Sequence, residues 1–334
     1  MALWSSADTY GGSYTTGTLK YDVSEAIHRI TPEDTPFFNM IGDTTATAVT
    51  HEWLSEVLVT RAKNAVAEGA AFGSYVKPIA QTRRSNRVQT LSKNLTVSRL
   101  LQRVKQYGVS DMFGSNLMKR MIEWKTDCEH ALIRGSQADG SSGAAAYLAG
   151  AMWLLTVDDD GTAAPNQTAH GTGTSGAGNY GADATFTEVA FNDVMQGCWE
   201  TGGKPADVLC GPRAKRRIST FTDSATKFFN SDDRKVINTI SVYESDFATV
   251  QVHLSRDVRD GVDVANSGEK DDTSDVLFVT RDMFKKAWID KPFVVKVPQT
   301  GDSQEAVILG DLTLEGGNSG AHATIVHTNS GYTV

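Results

Sequence analysis

A glycine-rich stretch holds the most suggestive chemical motif in this 334-residue sequence. Gly171, Gly173 and Gly176 have the G-x-G-x-x-G spacing of a turn that binds the pyrophosphate of a dinucleotide. That turn works only where it follows a strand and begins a helix, because the helix N-terminus supplies the amides that hold the phosphates. Here the flanking sequence is rich in Gly, Thr, Ala and Asn on both sides. The motif therefore favours an ordinary loop, and we expect no cofactor.

The acidic run that precedes this stretch matches a calcium-binding loop only in part. Asp158, Asp159, Asp160 and Gly161 resemble its opening residues, but Ala169 occupies the twelfth position, where a bidentate Glu is needed. The seven histidines form no H-E-x-x-H motif and no helical pair four residues apart. These patterns favour a solvated acidic turn and predict no metal site.

Nucleophilic and redox chemistry also lack their usual motifs. The three cysteines, Cys128, Cys198 and Cys210, are too few and too scattered for a disulfide framework, and none forms a C-x-x-C pair. The sequence contains neither a G-x-S-x-G elbow nor a G-x-x-x-x-G-K-[ST] phosphate loop. We therefore predict no catalytic residue and no enzymatic activity. The cysteine usage and the lack of a signal peptide favour synthesis in the cytoplasm.

Charge is the remaining chemical signal. Lys and Arg number 32 against 40 Asp and Glu, a net charge of -8, which argues against a protein that works by neutralising phosphates. Basic clusters occur at residues 83–87 and 213–217, and neither is interleaved with aromatic residues that could stack on bases. For the first cluster, a solvated face and a contact with an acidic neighbour are equally good interpretations; for the second, a solvated face is favoured. No apolar run approaches the roughly 18 residues that span a bilayer, so we expect no membrane.

The elements that must position these residues can be predicted from the hydrophobic pattern. The first forty residues are polar and end in a compact apolar segment after Pro36, as in an arm. Residues 49–59 and 87–97 are rich in β-forming residues that partly alternate, which predicts a long antiparallel hairpin with its tip at residues 61–78. An isolated two-stranded hairpin is marginally stable in water, so this one needs a surface to lie on.

A long amphipathic helix follows, from Ser110 as N-cap to Gly135 as a left-handed stop. About 24 residues at 1.5 Å each give a rod on the order of 36 Å, which we interpret as a spine. Its apolar residues recur at steps of three and four, at Leu117, Met121, Trp124, Cys128, Ala131 and Leu132. Beyond it, helices and strands mix before a series of strands from residue 249 onward, which predicts an α+β protein with more than one packed region.

Taken in order, the arm, hairpin, spine helix, mixed region and returning strands resemble the major capsid proteins of tailed bacteriophages with the Hong Kong 97-type fold, an α+β fold. Short motifs occur in a fixed order along nearly the whole chain: Asp34-Thr35-Pro36-Phe37, Glu52-Trp53, Glu68-Gly69, Asn86-x-x-Gln89 with Val97-Ser98, Glu129-His-Ala-Leu132-Ile-Arg-Gly135, Trp199-Glu-Thr-Gly202-Gly203 and Tyr243-Glu-Ser-Asp246-Phe247. In these motifs the sequence resembles a phage family long catalogued only as a domain of unknown function.

The resemblance implies five segments along the chain. An N-terminal arm occupies residues 1–45, and an extended loop, the β-hairpin, occupies residues 46–100. The peripheral domain with its spine helix covers residues 101–145, the axial domain covers 146–260, and the returning strands of the peripheral domain cover 261–334.

The resemblance also implies a virion protein that assembles into hexamers and pentamers of an icosahedral or prolate head around double-stranded DNA. Its partners would be further copies of the same chain, with scaffold, decoration and portal proteins, and packaged DNA would be contacted weakly and non-specifically. The hairpin and the arm would each lie over a neighbouring subunit, which supplies the surface that a lone hairpin lacks. Mild acidity suits a container that does not hold its cargo tightly.

Charge on the hairpin suggests how neighbouring subunits are held in register. We hypothesise that acidic groups on one strand and at the tip pair, between subunits, with basic groups on the other strand. These six candidate contact residues are Glu52, Glu56, Glu68, Arg83, Arg84 and Arg87.

The sequence leaves two alternatives open. An encapsulin-like nanocompartment shell of the same fold would enclose enzymes instead of DNA, and the long polar arm favours the phage capsid over it. A β-rich phage decoration or adhesion protein would explain the Gly- and Thr-rich stretch and the late strands, but such proteins rarely carry a spine helix.

Overall fold

The structure, a computed structural model, describes residues 34–56, 63–69, 81–104, 109, 111–140, 143–156, 167–168, 186–221, 241–258, 273–298 and 301–329. The predictions about the arm before residue 34, the glycine motif, the acidic turn and most of the hairpin tip lie outside these residues.

The described residues form six α-helices and fourteen strands. The helices are α1 (Pro36–Met40), α2 (Arg99–Arg103), α3 (Met112–Arg134), α4 (Ala151–Thr156), α5 (Glu188–Glu200) and α6 (Pro212–Ile218). The strands are β1 (Gly42–Thr45), β2 (Thr50–Ser55), β3 (Thr82–Arg87), β4 (Gln89–Ser98), β5 (Ala138–Asp139), β6 (Ala146–Tyr147), β7 (Gln167–Thr168), β8 (Asp207–Cys210), β9 (Val242–Glu244), β10 (Thr249–Leu254), β11 (Thr273–Val279), β12 (Phe284–Val297), β13 (Ser303–Gly316) and β14 (Ala323–Asn329).

A four-stranded sheet has the order β1-β12-β13-β4. β12 and β13 are 14 residues long and pair antiparallel, and β13 also pairs antiparallel with β4. β1 runs parallel to β12 and covers only residues 285–288. The helix α3 lies on one face of this sheet, where the Trp124 ring stacks on Trp288 and its indole N–H donates to the carbonyl of Leu91 at 3.1 Å.

A six-stranded sheet, in the order β7-β14-β11-β8-β10-β9, lies between two hydrophobic cores. Alternate residues of β8 enter opposite cores, so that Val208 and Cys210 pack with α5 and α6 while Leu209 packs with α3. All four residues of β8 are buried. A strand that is buried on both faces needs near-continuous apolar sequence, and β8 has it apart from Asp207.

The strands after residue 261 divide between the two sheets. β11 pairs with both β14 and β8 in the six-stranded sheet. β12 and β13 pair with β1 and β4 in the other sheet. The strands of the segment at 261–334, which the resemblance assigns to the peripheral domain, therefore contribute to both sheets.

The predicted hairpin exists, but one of its strands was assigned to the wrong partner. β2 pairs with β3, from Thr50 opposite Arg87 to Ser55 opposite Thr82. Residues 89–98, which were expected to complete the hairpin, pair with β13 instead. The chain passes between the two pairings at Val88, whose side chain is buried with Ala46 and Ala287. A period of two reveals which face of a strand is buried, and it does not reveal the partner strand.

The spine helix is present and differs from its prediction at both ends. Its N-cap is Asp111, whose side chain accepts the N–H of Gly114 at 3.1 Å. Gly135 ends the helix with φ of -54°, not in the left-handed region. A Cβ there would lie 2.5 Å from the carbonyl oxygen of Ala131 and 2.6 Å from that of Leu148, so only glycine allows these carbonyl groups to approach so closely.

None of the helices in the described residues is long and apolar enough to cross a membrane.

The apolar stripe of the spine is buried only in the C-terminal half of the helix. Trp124, Cys128 and Leu132 are buried, as predicted, whereas Met121 is 45% exposed. Met118, one turn earlier, is 69% exposed. The N-terminal half of the spine therefore presents apolar surface that the described residues leave uncovered.

Candidate functional site

The exposed face of the hairpin carries three of the six predicted contact residues. Glu52 is exposed on β2 and Glu56 is exposed directly after it, with Leu54 between them, because alternate residues of an extended chain share a face. Arg83 lies opposite Leu54, and its Nη1 atom is 3.4 Å from Oε2 of Glu52. The first partner of Glu52 is therefore in the same chain.

The other three predicted residues lie elsewhere. Arg84 is opposite Trp53, on the half-buried face of the hairpin. Arg87 donates from Nε to Asp139 at 2.9 Å and from Nη1 to the hydroxyl of Thr50 at 2.6 Å. Glu68 is exposed in a turn whose next residue, Gly69, has φ of 78°. The structure does not bring the six residues into one cluster.

Asn86 fixes the base of the hairpin, a role that the sequence did not reveal. It is fully buried, and its Nδ2 donates to the carbonyls of Ala149 at 2.9 Å and Leu314 at 2.8 Å. Its Oδ1 accepts the N–H groups of Ala149 and Arg87, both at 2.8 Å. This one side chain thus makes four hydrogen bonds. They join β3 to β13 and to Ala149, which lies in the loop after β6. The only signal was its place in the Asn86-x-x-Gln89 motif.

Two further contacts hold the hairpin base against the end of β13. The indole N–H of Trp53 donates to the carbonyl of Gly317 at 3.3 Å. His51 Nε2 lies 3.2 Å from Oε2 of Glu315. Leu54 on the opposite face is 61% exposed, and Val49 just before β2 is 64% exposed. Within the described residues, the hairpin is therefore anchored at its base and along one face.

A second anchor holds the start of the described chain to the spine. Glu129 of α3 is fully buried, and its two oxygens accept the N–H groups of Phe37 at 2.9 Å and Phe38 at 2.6 Å. The carboxylate thereby satisfies amides in the first turn of α1. Burial raises the pKa of Glu129 to about 7, although the two hydrogen bonds oppose that shift.

Lys286 of β12 completes this arm anchor. Its ammonium group donates to the carbonyl of Phe38 at 2.6 Å and lies 4.2 Å from the centroid of the Phe38 ring. It also lies 3.2 Å from Asp43 of β1. Phe37, fully buried, packs edge-on against Phe284. The arm anchor therefore combines apolar burial with a carboxylate and an ammonium group that bind opposite backbone groups of α1.

Asp207 joins the six-stranded sheet to the turn that leads into β12. Its buried carboxylate accepts two hydrogen bonds from Arg281, one of them 2.6 Å from Nη2, and lies 2.8 Å from His253 Nε2. Burial alone would raise the pKa of Asp207, but the hydrogen bonds from Arg281 and His253 outweigh it and lower the pKa. The cluster is an ion pair that connects β8, β10 and the start of β12.

The described residues contain no group of three or more His, Cys, Asp or Glu that could hold a metal. Burial raises the pKa of the Cys128 thiol, and raises that of Cys198 to about 12, so both stay protonated and are poor nucleophiles.

A groove of about 690 Å³ between α3 and the four-stranded sheet is lined by charges of both signs, including Lys119, Arg120 and Glu305.

Two apolar surfaces remain exposed beside this groove. The first, the α2–α3 patch, is 44–69% exposed and consists of Leu100, Leu101, Val104, Met118 and Met121. The second, the β12 edge, is 37–45% exposed and consists of Ile289, Phe293, Val294 and Val295. Exposed apolar residues that cluster in this way are typical of surfaces that contact other molecules.

Solved structures share this architecture over nearly the whole chain. The capsid of a native GTA particle has 12% identity and a TM-score of 0.58, and the match covers 98% of this chain and 100% of that one. A chain from the structure of Gordonia phage Cozz has 11% identity and a TM-score of 0.55, and the match covers 97% of this chain and 96% of that one. The holo-SrpI encapsulin of Synechococcus elongatus PCC 7942 has 10% identity and a TM-score of 0.58, with 94% and 95% covered. The predicted α+β fold of the Hong Kong 97 type is confirmed.

Comparison at the level of sequence is more specific. The sequence matches no curated protein. One family model, described as SU10 major capsid protein, matches residues 8–329.

Proposed function

The chain belongs to the SU10 major capsid protein family, and from that membership we propose that its copies form hexamers and pentamers of an icosahedral or prolate head that encloses double-stranded DNA. It is a structural component of the virion that associates with itself. We further propose that it is made in the cytoplasm of a bacterial host, has no catalytic role, and meets scaffold, decoration and portal proteins during assembly. The match over residues 8–329 is the observation that supports this function.

The proposal gives the exposed hairpin a partner. Its base is bound to β13, while Leu54 and Val49 are more than half exposed and Val66, near the tip, is 75% exposed. A two-stranded ribbon gains little stability alone, so apolar residues on its open face favour a neighbouring subunit as the surface it lies on. The proposed role of the hairpin, formed by β2 and β3 with the segment between them, is therefore an extended loop over the adjacent copy, whereas β4 belongs to the four-stranded sheet.

The charged hairpin residues fit this role unequally. Glu52, Glu56, Glu68 and Arg83 are exposed and can reach a neighbour, and we propose that they pair between subunits. Arg87 is engaged by Asp139 and Thr50 in its own chain, and Arg84 lies on the half-buried face, so these two support the hairpin base first.

The acidity of the chain fits the proposed cargo. A net charge of -8 means that the protein and the DNA phosphates repel each other on average, so contacts with packaged DNA stay weak and the DNA can slide during filling.

The experiment that tests the assembly is electron microscopy of the full-length protein expressed alone and together with the genes that flank it. Closed particles with sixfold and fivefold capsomers are the expected result. A folded protein that stays monomeric in both preparations contradicts the proposal.

The likeness to the SrpI encapsulin supports a second candidate, a nanocompartment shell of the same fold. The contents of native particles distinguish the two. Particles from producing cells are treated with nuclease, opened, and assayed for nucleic acid and for co-purifying proteins. Protected double-stranded DNA of uniform length supports the phage head, whereas an enclosed enzyme without DNA supports the nanocompartment.

A further inference from the structure

The outer edge of β12 is paired along only part of its length. β1 lies beside residues 285–288, and the N–H of Ala46 donates to the carbonyl of Trp288 at 2.8 Å before the chain leaves for β2. From Phe293 to Val297, β12 pairs with β13 on its inner side. In the part of the chain that the structure describes, no strand pairs with the outer side of this stretch.

Side-chain burial changes at the same point. β13 alternates between buried and partly exposed residues, as expected for a strand with one face on α3. In β12, all residues from Ile289 to Lys296 are exposed regardless of the face on which they lie. Phe293 lies opposite Leu309 and Val295 opposite Val307, so four apolar residues form a block on adjacent strands.

Such an edge is normally protected. Strand edges with unpaired N–H and C=O groups attract other strands, and proteins block them with proline, bulges or charge. β12 has a register shift and Pro292 just before the open stretch, and Lys296 within it. The proline and the register shift lie before Phe293, so Lys296 is the remaining blocking feature in the sequence Phe293-Val-Val-Lys-Val297, which has high β-propensity.

The geometry restricts what can cover this edge. The apolar side chains of the α2–α3 patch accept partners of many shapes, whereas a row of backbone N–H and C=O groups accepts only an extended backbone. β1 shows that the same edge already accepts a strand at residues 285–288. In a protein that assembles with itself, the partner present at the highest local concentration is another copy of the chain.

We propose that an extended segment of a second copy adds as a strand beside residues 293–297 of β12 when the shell assembles. The proposal rests on the proposed self-assembly and goes beyond it, because it assigns a backbone-paired interface to one strand edge. Phe293 and Val295 then supply the apolar contact of that interface, and the added strand removes the open edge.

Hydrogen–deuterium exchange of the full-length protein, before and after assembly, tests the pairing directly. Peptides that span residues 293–297 are expected to exchange roughly tenfold more slowly in assembled shells, because amides that point away from β13 gain partners. The peptide of β8, buried in both states, serves as the internal reference. Shells whose 293–297 amides exchange as fast as in the unassembled protein would overturn the proposal.

Two proline variants test the same backbone groups by mutation. Neighbouring residues of a strand direct their N–H groups to opposite sides, so one of Val294→Pro and Val295→Pro removes an N–H that points away from β13, and the other breaks the β12–β13 pairing. The outward variant is recognised by a melting temperature close to that of the parent. It is expected to stay unassembled, while the matching Val→Thr variant, which keeps its N–H, still assembles. Normal shells from the outward proline variant would count against the added strand.

The remaining outcomes are also decisive. If the parent protein never assembles, the proposed function fails and the added strand fails with it. If the parent assembles and the outward proline variant assembles equally well, only the added strand is wrong. If the 293–297 amides are already protected in the unassembled protein, the chain covers its own edge and the second copy is not the occupant.

Discussion

The two sheets of this protein differ in how completely the described residues cover them. The six-stranded sheet has a core on each side, and all four residues of its strand β8 are buried. The four-stranded sheet is covered by α3 on one face, while half of β12 and the open face of the attached hairpin are exposed. In the described residues the first region buries its strands on both faces, whereas the second leaves apolar surface exposed, as surfaces that contact other molecules do.

The largest expected effect is on the self-contained region. Phe191 is fully buried in α5, with its ring centroid 4.9 Å from that of Phe278 and 5.1 Å from that of Tyr243. Phe191→Ala should lower the free energy of unfolding by about 4 kcal/mol, the usual result of emptying an aromatic site in a core. Urea denaturation of the unassembled protein measures it. Val189→Ala, in the same helix and 68% exposed, is the control and should change stability by less than about 0.5 kcal/mol.

A smaller effect is expected at the hairpin base. Asn86→Ala leaves the buried N–H of Ala149 and the carbonyls of Ala149 and Leu314 without their partner, at a cost of about 3 kcal/mol. Because the hairpin belongs to the incomplete region, this variant should also fail to assemble at a temperature where it remains folded. Asn94→Ala, exposed on β4, is the matched control. Normal assembly of folded Asn86→Ala protein would show that the hairpin base does not govern the interface.

The arm anchor should make the free energy of unfolding depend on pH through Glu129. The pKa of Glu129 is raised to about 7 from 4.5, so its contribution to stability is complete below pH 4.5 and is lost as the pH rises through about 7. The free energy of unfolding should fall by about 2 to 3 kcal/mol across that range from this group. Glu129→Gln should remove that slope. Thermal melts of both proteins from pH 4.5 to 7.5 measure it, and parallel profiles would refute the assignment.

The opposite sign is expected beside the six-stranded sheet. His322, which precedes β14, is almost fully buried against Phe284 and accepts the N–H of Thr280 at 3.1 Å. Burial lowers its pKa to about 3, so its contribution is complete above pH 6.5 and is lost as the pH falls through about 3. Between pH 6.5 and 5 the loss should be about 1 to 2 kcal/mol. His322→Gln should remove the fall in the free energy of unfolding between pH 6.5 and 5. It should leave unchanged the fall that Glu129 causes as the pH rises towards 7.

The smallest effect on folding is expected at the exposed face of the hairpin. Arg83→Glu breaks an exposed ion pair with Glu52 and should change unfolding by less than about 0.5 kcal/mol. If these groups pair between subunits, the variant should still fold yet assemble poorly. The double variant Glu52→Arg with Arg83→Glu restores the pair within the chain. Its assembly separates the two roles, since full recovery would mean that only the internal pair matters.

The helices and strands whose burial follows a simple period could be predicted from the sequence. The C-terminal half of the spine, with Trp124, Cys128 and Leu132, is buried as its spacing of three and four residues indicates. The strand at 89–98 was also recognisable, but its partner was not. That partner, β13, lies more than 200 residues further along the chain, and alternation carries no information about such pairing.

The anchors could not be predicted for a related reason. Asn86 and Glu129 are polar residues that are buried only because backbone groups from distant segments converge on them, 228 and 92 residues away in sequence. A local pattern gives a polar residue an exposed position by default. The six charged hairpin residues are recognisable in the sequence, and the pairing of β2 with β3 places Arg84 on the face opposite to that of Glu52. Their pairing between subunits stays a prediction.

The contact between Glu129 and α1 has a mechanical consequence. The segment α1 is joined to the spine helix by a carboxylate that binds two amides, so a pull on α1 acts on the C-terminal part of the 23-residue helix as well as along the chain to β1. The ammonium of Lys286 ties the same turn to β12. A force on α1 is thereby shared between the spine helix and the four-stranded sheet, so that α1, α3 and β12 respond to it as one unit.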